Sequence, residues 1–486
     1  MKHALLAGLV LSAALLLAGC VTAERPGPGE RPDPGPDDVA RVDRAPAAEE
    51  PVPEEPVLTV DDTYEAISVS VRAGDPAAAL AAYQEAEIAN PDEPETLLLL
   101  ANLYLIAGAL AEADALLTEL GAEDPDNTEI LYLRSLVAAA QGDTARQEAA
   151  LERILELDPA HPRALASLGE IYLRERNLGR ARDAFTRALE EDETDVVARM
   201  GLGNVYLREE EYEAAEEEFS DVIDREPEFA FSYGDRAKAR ALQRELSGAV
   251  EDLTRAIELD PDYQWHYIDR GRVYLEQRRF GQAAADFDRA VELDDGSFIG
   301  YVLCASAYDA MEQYDAARRD YARALELRPD YSPAYAPFGV LLYLETRPAE
   351  AANYFRRAFL AEPRRLDFAL LAALSLKAGS RQSEATDWLN EHLAKFPRDS
   401  LYYQVARYYL LPGNDGYVLA EIRQEQDDVV KGKMYFYVAA QLELLGRTET
   451  ARAAFLEAED LLPPGYLERR LATRHLASYR SEEEGE

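Results

Sequence analysis

Residues 162–193 read PRALASLGEIYLRERNLGRARDAFTRALEEDE, with apolar and small residues at the three- and four-residue spacing of amphipathic helices. The pattern is interrupted once, near Asn177. We therefore predict two short helices joined by a turn and packed through one shared apolar face. The residues assigned to that face are Leu165, Leu168, Gly169, Tyr172, Ala181, Phe185 and Ala188.

The same pattern recurs with a period of 34 residues. A fixed period of this length predicts one elongated array of helix pairs rather than several globular domains. The next closing proline after Pro397 is Pro463, 66 residues later, so we expect an irregular eleventh repeat around Pro412. The residues that close successive repeats, each 34 after the last, are Pro91, Pro125, Pro159, Glu193, Pro227, Pro261, Asp295, Pro329, Pro363 and Pro397.

Each recurring residue type has a physical role in this pattern. Proline forces the preceding residue out of the helical region and so ends the second helix of a repeat. Glycine is expected in a left-handed turn between the two helices, at Gly74, Gly108, Gly142 and Gly446. Small residues at the eighth and twentieth positions allow close packing, and Tyr or Phe at the eleventh and twenty-fourth positions fill the space between helices, as in Gly169, Ala181, Tyr172 and Phe185.

This pattern resembles the tetratricopeptide (TPR) family over about Val60 to Pro463, with repeats three and eleven as poor matches. The resemblance implies an all-α fold, a right-handed superhelical solenoid of about twelve helix-turn-helix repeats. We assign residues 59–464 to this solenoid, 465–480 to a C-terminal capping helix and 481–486 to an acidic tail. Two repeats pair an arginine with an aspartate, Arg236 with Asp252 and Arg270 with Asp286, which predicts ion pairs within repeats.

The amino terminus predicts export and a lipid anchor. Residues 1–19 carry Lys2 and then a short apolar run, as in a signal peptide. Leu17-Ala18-Gly19-Cys20 resembles the lipobox of bacterial lipoproteins, which implies acylation of Cys20. Residues 20–58 are rich in proline, glycine and acidic residues, so we expect a disordered tether. Val21 after the cysteine favours the outer membrane by this resemblance.

Composition and motifs exclude several classes of function. A formal net charge of −42 opposes nucleic-acid binding. The sequence has no recognised catalytic, nucleotide-binding or metal-binding motif, so we expect no enzyme activity, no cofactor and no metal. Asp124-Pro125-Asp126-Asn127 is similar to part of a calcium loop, but it lacks the glycine and the distal glutamate. We expect it to cap a helix.

The first helices of TPR repeats typically line a groove that holds a peptide. This resemblance assigns a peptide-binding groove in repeats four to eight, for a protein segment with an acidic element beside apolar anchors. It departs from the carboxylate clamp of some TPR domains because Ala166 and Gly234 stand where the clamp has lysine. The alternative is that these residues are ordinary solvated helix residues. The assigned residues are Arg163, Glu170, Arg174, Asn204, Arg208, Lys238, Trp265 and Arg272.

Two functions are compatible with these features. The first is a non-enzymatic, membrane-anchored TPR scaffold that binds other proteins or peptide segments of the bacterial cell envelope, attached to the outer membrane and facing the periplasm. The second is a surface-exposed adhesin that binds host or neighbouring-cell molecules. The sequence leaves the partner, the oligomeric state, the membrane leaflet and recognition of a terminal carboxylate open.

Overall fold

The computed structural model describes residues 66–71, 73, 75–85 and 93–484. The signal peptide, Cys20, the tether and Gly74 lie outside these residues. The regular elements of the described residues are helices, which confirms the all-α prediction. The chain divides into two compact units, Met1–Val273 and Tyr274–Glu486.

In the first unit, helices alternate between the first helix of a repeat, here called helix A, and the second, called helix B. Each helix A begins 34 residues after the previous one, and so does each helix B, which confirms the predicted period. Helix α12 begins in this unit and ends in the next. The helices are α1 (Pro76–Glu85), α2 (Pro94–Ile106), α3 (Leu110–Glu123), α4 (Thr128–Ala140), α5 (Thr144–Leu157), α6 (Pro162–Arg174), α7 (Leu178–Glu191), α8 (Val196–Arg208), α9 (Tyr212–Arg225), α10 (Ala230–Leu242), α11 (Leu246–Leu259) and α12 (Gln264–Glu276).

Helices A and B of each repeat pack on one another, as α6 does on α7 and α10 on α11. In the fourth repeat, Phe185 is fully buried between small residues of the neighbouring helices. Repeat three has the same helix lengths as its neighbours despite its unusual residues. Some helix starts are stabilised by side-chain caps: Asn127 accepts hydrogen bonds from the backbone N–H groups of Glu129 and Ile130. The predicted capping role of residues 124–127 is therefore confirmed for Asn127.

The turn between helices A and B is left-handed at its fifteenth repeat position. Gly108, Gly142 and Gly446 have φ of 75°, 74° and 73°, as predicted for glycines at this turn. Seven other repeats place a residue with a side chain there, at φ between 59° and 69°. The turn geometry thus persists without glycine. These residues are Arg176, Glu210, Arg244, Arg278, Glu312, Thr346 and Ser380.

The second unit keeps the same pairing and then departs from it. Both helices of repeat eleven are ten residues long, separated by a segment that contains Pro412, which confirms the predicted irregularity. A 17-residue helix A follows in repeat twelve. The helices are α13 (Phe280–Leu293), α14 (Phe298–Ala310), α15 (Tyr314–Leu327), α16 (Tyr335–Leu344), α17 (Pro348–Ala361), α18 (Leu366–Ala378), α19 (Gln382–His392), α20 (Leu401–Leu410), α21 (Asp415–Gln424), α22 (Asp428–Leu444), α23 (Thr448–Leu461) and α24 (Leu467–Glu484), with 3₁₀ turns at Ser332–Ala334 and Leu393–Lys395.

The last helix, α24, packs against both helices of repeat twelve and also against α16 of repeat nine. Its residues Leu471, Ala472 and Leu476 belong to the continuous core of the second unit. This helix therefore contacts more than the last repeat. Among the described residues, no helix has the length and apolar composition that a bilayer crossing requires.

Candidate functional site

The ninth positions of successive A helices form the centre of the predicted groove in the first unit. They carry Glu170 on α6, Asn204 on α8, Lys238 on α10 and Arg272 on α12. Helix α6 contacts α8, and α8 contacts α10. The structure therefore places the first three of these residues on neighbouring helices, at equivalent positions.

Three of the predicted groove arginines bind the repeat before their own. Arg163 is 2.6 Å from Glu129 Oε2 and lies 4.6 Å above the ring of Tyr132. Arg174 donates a hydrogen bond to Gln147 Oε1 at 3.1 Å. These contacts join repeat four to repeat three.

Arg208 makes the corresponding link one repeat later. Its Nη1 donates a hydrogen bond to the carbonyl oxygen of Leu173 at 2.9 Å. The acceptor lies near the carboxyl end of α6, where carbonyl groups lack helical partners and a cation is favoured. Arg208 therefore stabilises the packing of repeat five on repeat four, while the residue as a whole remains exposed.

Lys238 and Arg272 differ from these arginines. Lys238 is exposed and forms no hydrogen bond or ion pair with the residues that the structure describes. The Arg272 side chain is half exposed, and its guanidinium lies 3.5 Å from the carboxylate of Asp269, within its own helix. Exposed ion pairs of this kind are weak. These two side chains therefore keep their charge available to a ligand.

Glu170, at the repeat-four end of the groove, is a carboxylic acid with a raised pKa. Burial raises the pKa of Glu170 to about 7; Arg174 opposes this shift and Asp195 adds to it. Asn204 donates hydrogen bonds to the carbonyl oxygen of Met200 at 2.9 Å and to Asp235 Oδ2 at 3.3 Å. The side chain at the ninth position of helix A thus changes from a weak acid in repeat four, through an amide in repeat five, to cations in repeats six and seven.

The fifth positions explain why the carboxylate clamp is incomplete. Ala166 is buried in the core of the first unit. A Cβ on Gly234 would lie 3.2 Å from Cε1 of His266, so the imidazole takes the space beside this glycine. Trp265, predicted as an apolar anchor, is partly buried. A lysine at either fifth position would have to displace its neighbours.

Outside the groove, one predicted ion pair is confirmed. Arg236 donates two hydrogen bonds to Asp252, from Nε at 2.9 Å and from Nη2 at 2.7 Å. Arg240 adds a third to the same carboxylate at 2.9 Å. Arg270 donates to Thr254 Oγ1 at 3.1 Å, and its predicted pairing with Asp286 stays a prediction.

The first unit also has an acidic cleft that contains none of the predicted groove residues. A cleft of about 520 Å³ is lined by acidic side chains of α9. In the part of the chain that the structure describes, no group of three or more His, Cys, Asp and Glu is placed to hold a metal ion.

The second unit contains a polar cluster that the sequence did not predict. Lys433 on α22 donates a hydrogen bond to Asp367 Oδ2 at 3.1 Å and lies 3.7 Å from Glu468 Oε1 on α24. All three residues are buried. The spacing of Glu468, Leu471 and Leu476 indicates an amphipathic helix, but no sequence signal shows which surface that helix covers.

Comparison with known families agrees with this geometry. Models of the tetratricopeptide repeat match residues 70–137 and 113–162. The chain contains TPR repeats. A model of the ETO1 C-terminal domain matches residues 153–335. A search of curated proteins found no significant match.

Solved structures similar to this chain include a tetratricopeptide repeat protein from Parabacteroides merdae, 24% identical with a TM-score of 0.38. That match covers 51% of this chain and 98% of the other. YrrB, described as a TPR protein with an unusual peptide-binding site, is 23% identical with a TM-score of 0.35, over 39% of this chain and 97% of that one. Pseudomonas aeruginosa pilF is 17% identical with a TM-score of 0.38, over 43% and 94%.

Proposed function

We propose that this protein is a non-enzymatic, lipid-anchored scaffold of the bacterial cell envelope that binds segments of other proteins through the A helices of repeats four to seven. TPR repeats bind peptides and other proteins. The observation that carries the proposal is the pair of available cations, Lys238 and Arg272, at equivalent positions of consecutive A helices. They stand out in a chain whose net charge is −42.

The contacts around this surface favour an internal acidic segment over a terminal carboxylate. Clamp recognition of a carboxylate uses several cations placed together, and both fifth positions that would supply them are packed against neighbours. Two cations on consecutive repeats suit two separated acidic side chains of an extended segment or a helix. Partly buried Trp265, in the same helix as Arg272, adds apolar contact area beside them.

Site-specific photocrosslinking in cells tests this surface. A photoreactive amino acid is placed at position 238 or 272, and in control variants at Arg187 or Arg255. The control residues are arginines at equivalent positions of helix B, and their side chains are 45% and 41% exposed. Adducts with the same envelope protein from 238 and 272, and none from 187 and 255, would support the proposal. No adduct from 238 and 272, or equal adducts from both faces, would refute it.

Charge reversal gives a second, quantitative test. The double variant Lys238→Glu/Arg272→Glu and the control Arg187→Glu/Arg255→Glu change the net charge equally. If an acidic segment binds the groove, only the first double variant loses the crosslinked partner in a pull-down. Circular dichroism verifies that both variants remain helical.

The lipid anchor and the cellular location of the chain need a separate experiment. Cys20→Ser is expected to abolish labelling with a palmitate analogue and to release the chain from the membrane fraction. Protease added to intact cells should leave the wild-type chain undigested if it faces the periplasm. Digestion without permeabilisation would instead favour the surface adhesin.

A further inference from the structure

Helix α24 contacts A helices of the second unit that are distant from it in the sequence. Arg470 Nη1 donates a hydrogen bond to Asp309 Oδ2 at 2.7 Å, and Nη2 lies 2.6 Å from Oδ1. Asp309 belongs to helix A of repeat eight, 161 residues earlier. The same guanidinium lies 4.4 Å from the ring centroid of Tyr314. This pairing fixes where the amino-terminal part of α24 sits.

Two further polar contacts fix the register of α24. Glu468 accepts a hydrogen bond from the Tyr437 hydroxyl at 2.9 Å, close to Lys433. One end of the imidazole of His475 is 2.8 Å from Glu443 Oε2, and the ring stacks on Phe455 with a centroid distance of 4.7 Å. Both Tyr437 and Glu443 lie on helix A of repeat twelve.

Apolar side chains fill the space between these polar contacts. Leu471, Ala472 and Leu476 are buried in the core of the unit, and Tyr479 donates a hydrogen bond to Glu443 Oε1 at 2.5 Å. The contacted residues Asp309, Lys433, Tyr437 and Glu443, with Asp367 bonded to Lys433, form what we call the second A face. A groove that binds an amphipathic helix uses the same arrangement, with apolar anchors every three or four residues.

We propose that the second A face is a binding surface for an amphipathic helix and that α24 is its resident, displaceable occupant. A competing partner would be a helix that presents a carboxylate, an arginine, a histidine and a tyrosine with the spacing of Glu468, Arg470, His475 and Tyr479 around two leucines. The first unit and its proposed groove are not involved, so this proposal stands apart from the scaffold function.

Two features make α24 separable from the repeats. Pro463, Pro464 and Gly465, with φ of 99° at the glycine, break the chain between α23 and α24, so the helix can leave as a unit. Its contacts are rich in buried charge, and buried ion pairs specify geometry more than they add stability. The covalent link to α23 opposes separation, because it keeps α24 at a high effective concentration, so a competing helix must match α24 closely.

Hydrogen exchange of the wild-type full chain is the first test, because it needs no substitution. Backbone amides of residues 467–480 are expected to exchange at least tenfold faster than those of α18 (Leu366–Ala378), because α24 undocks without unfolding of the repeats. Equal exchange rates in the two helices would show that α24 is a permanent part of the core and would overturn the proposal.

Charge variants and a peptide give the second test. Arg470→Glu should speed exchange of residues 467–480 by about 30-fold, since it removes one partner of a shielded charge pair. Asp309→Arg/Arg470→Asp should restore slow exchange. Arg474→Glu is the control, because Arg474 is exposed on the same helix.

A fluorescent peptide of residues 466–484 is the probe for binding in trans. It should bind the Arg470→Glu chain at least tenfold more tightly than wild type, whose second A face is occupied. The same peptide carrying Arg470→Glu should bind neither chain. If the unmodified peptide fails to bind the Arg470→Glu chain while that chain remains folded, the surface does not accept a helix in trans and the proposal is wrong.

Discussion

Gly169 and Phe185 fit together so closely that a Cβ on the glycine would lie 2.6 Å from Cε1 of the ring. The same relation holds for Gly203 with Phe219, at 2.5 Å. Repeats two, six and ten instead pair alanine at the eighth position with leucine at the twenty-fourth. Glycine thus stands beside a phenylalanine ring and alanine beside leucine in these repeats, whereas repeats eight and twelve pair alanine with Tyr321 and Phe455.

Replacing that glycine should destabilise the first unit. Gly169→Ala is expected to cost about 1–3 kcal/mol of unfolding free energy, because the buried Phe185 ring must leave its rotamer or its neighbours must shift. Urea denaturation followed by circular dichroism measures the change.

The control and the rescue are both available in repeat four. A Cβ on Gly179 would meet no atom within 4 Å, so Gly179→Ala should be neutral or stabilise by up to about 1 kcal/mol. Gly169→Ala/Phe185→Leu recreates the pairing of repeats two, six and ten and should recover much of the loss. A double variant less stable than Gly169→Ala would show that the pairing of sizes does not govern this contact.

At the left-handed turn between helices A and B, introducing a glycine is expected to stabilise the chain. Thr346 has φ of 59°, a conformation that a β-branched residue adopts only with strain. Thr346→Gly should therefore stabilise the second unit by about 1 kcal/mol. The reverse change at the equivalent turn, Gly142→Thr at φ of 74°, should destabilise the first unit by a similar amount. Thermal denaturation of both variants tests the pair, and a loss of stability in Thr346→Gly would contradict it.

Sequence periodicity predicted the helices well because each repeat has the same pattern of apolar and small residues. Every helix A of repeats two to eight begins at the first repeat position, and several of these starts carry a proline or a capping residue, as at Pro94 and Asn127. The turn was less predictable: Gly108 shows it by residue type, whereas Arg176 and Thr346 adopt the same geometry without a signal of their own. There the packing of helices A and B overrides the local preference.

The polar contacts could not be predicted in the same way. Arg236 and Asp252 lie in one repeat, so the repeat pattern was enough to pair them. Arg470 and Asp309 are 161 residues apart, and their pairing depends on where α24 lies in three dimensions. Arg163 and Arg208 have groove positions in the sequence, yet they also bind the preceding repeat. A single sequence position therefore does not separate ligand binding from contact between repeats.

The ion pair of repeat six should matter for stability. Asp252 is buried and receives hydrogen bonds from both Arg236 and Arg240. Asp252→Asn leaves the guanidinium of Arg236 without its counter-charge and leaves Arg240 paired only with Glu216, so it should cost about 3 kcal/mol. Glu156→Gln is the matched control, because Glu156 and its partner Arg153 are exposed. Chemical denaturation should show no measurable change in the control, and an equally small change in Asp252→Asn would refute the prediction.

Glu170 should make stability depend on pH near neutrality. Its pKa of about 7 in the folded chain lies above the ordinary value of 4.5, so between these values the folded state holds a proton that the unfolded state has lost. Stability from this residue is therefore complete below about pH 4.5 and declines as pH rises through 7. Above pH 8 the loss reaches about 3 kcal/mol, the equivalent of the pKa difference.

Glu170→Gln removes this titration while keeping the size of the side chain. The variant should match wild type in urea denaturation at pH 5 and exceed its stability at pH 8, because an uncharged amide does not pay the desolvation of a carboxylate. Comparing the difference between the two chains at each pH cancels the titration of other acids, including Asp195, whose pKa burial also raises. Glu156→Gln, at an exposed carboxylate, should show the same stability relative to wild type at both pH values. A stability difference between Glu170→Gln and wild type that does not change from pH 5 to pH 8 would show that Glu170 is ionised across this range.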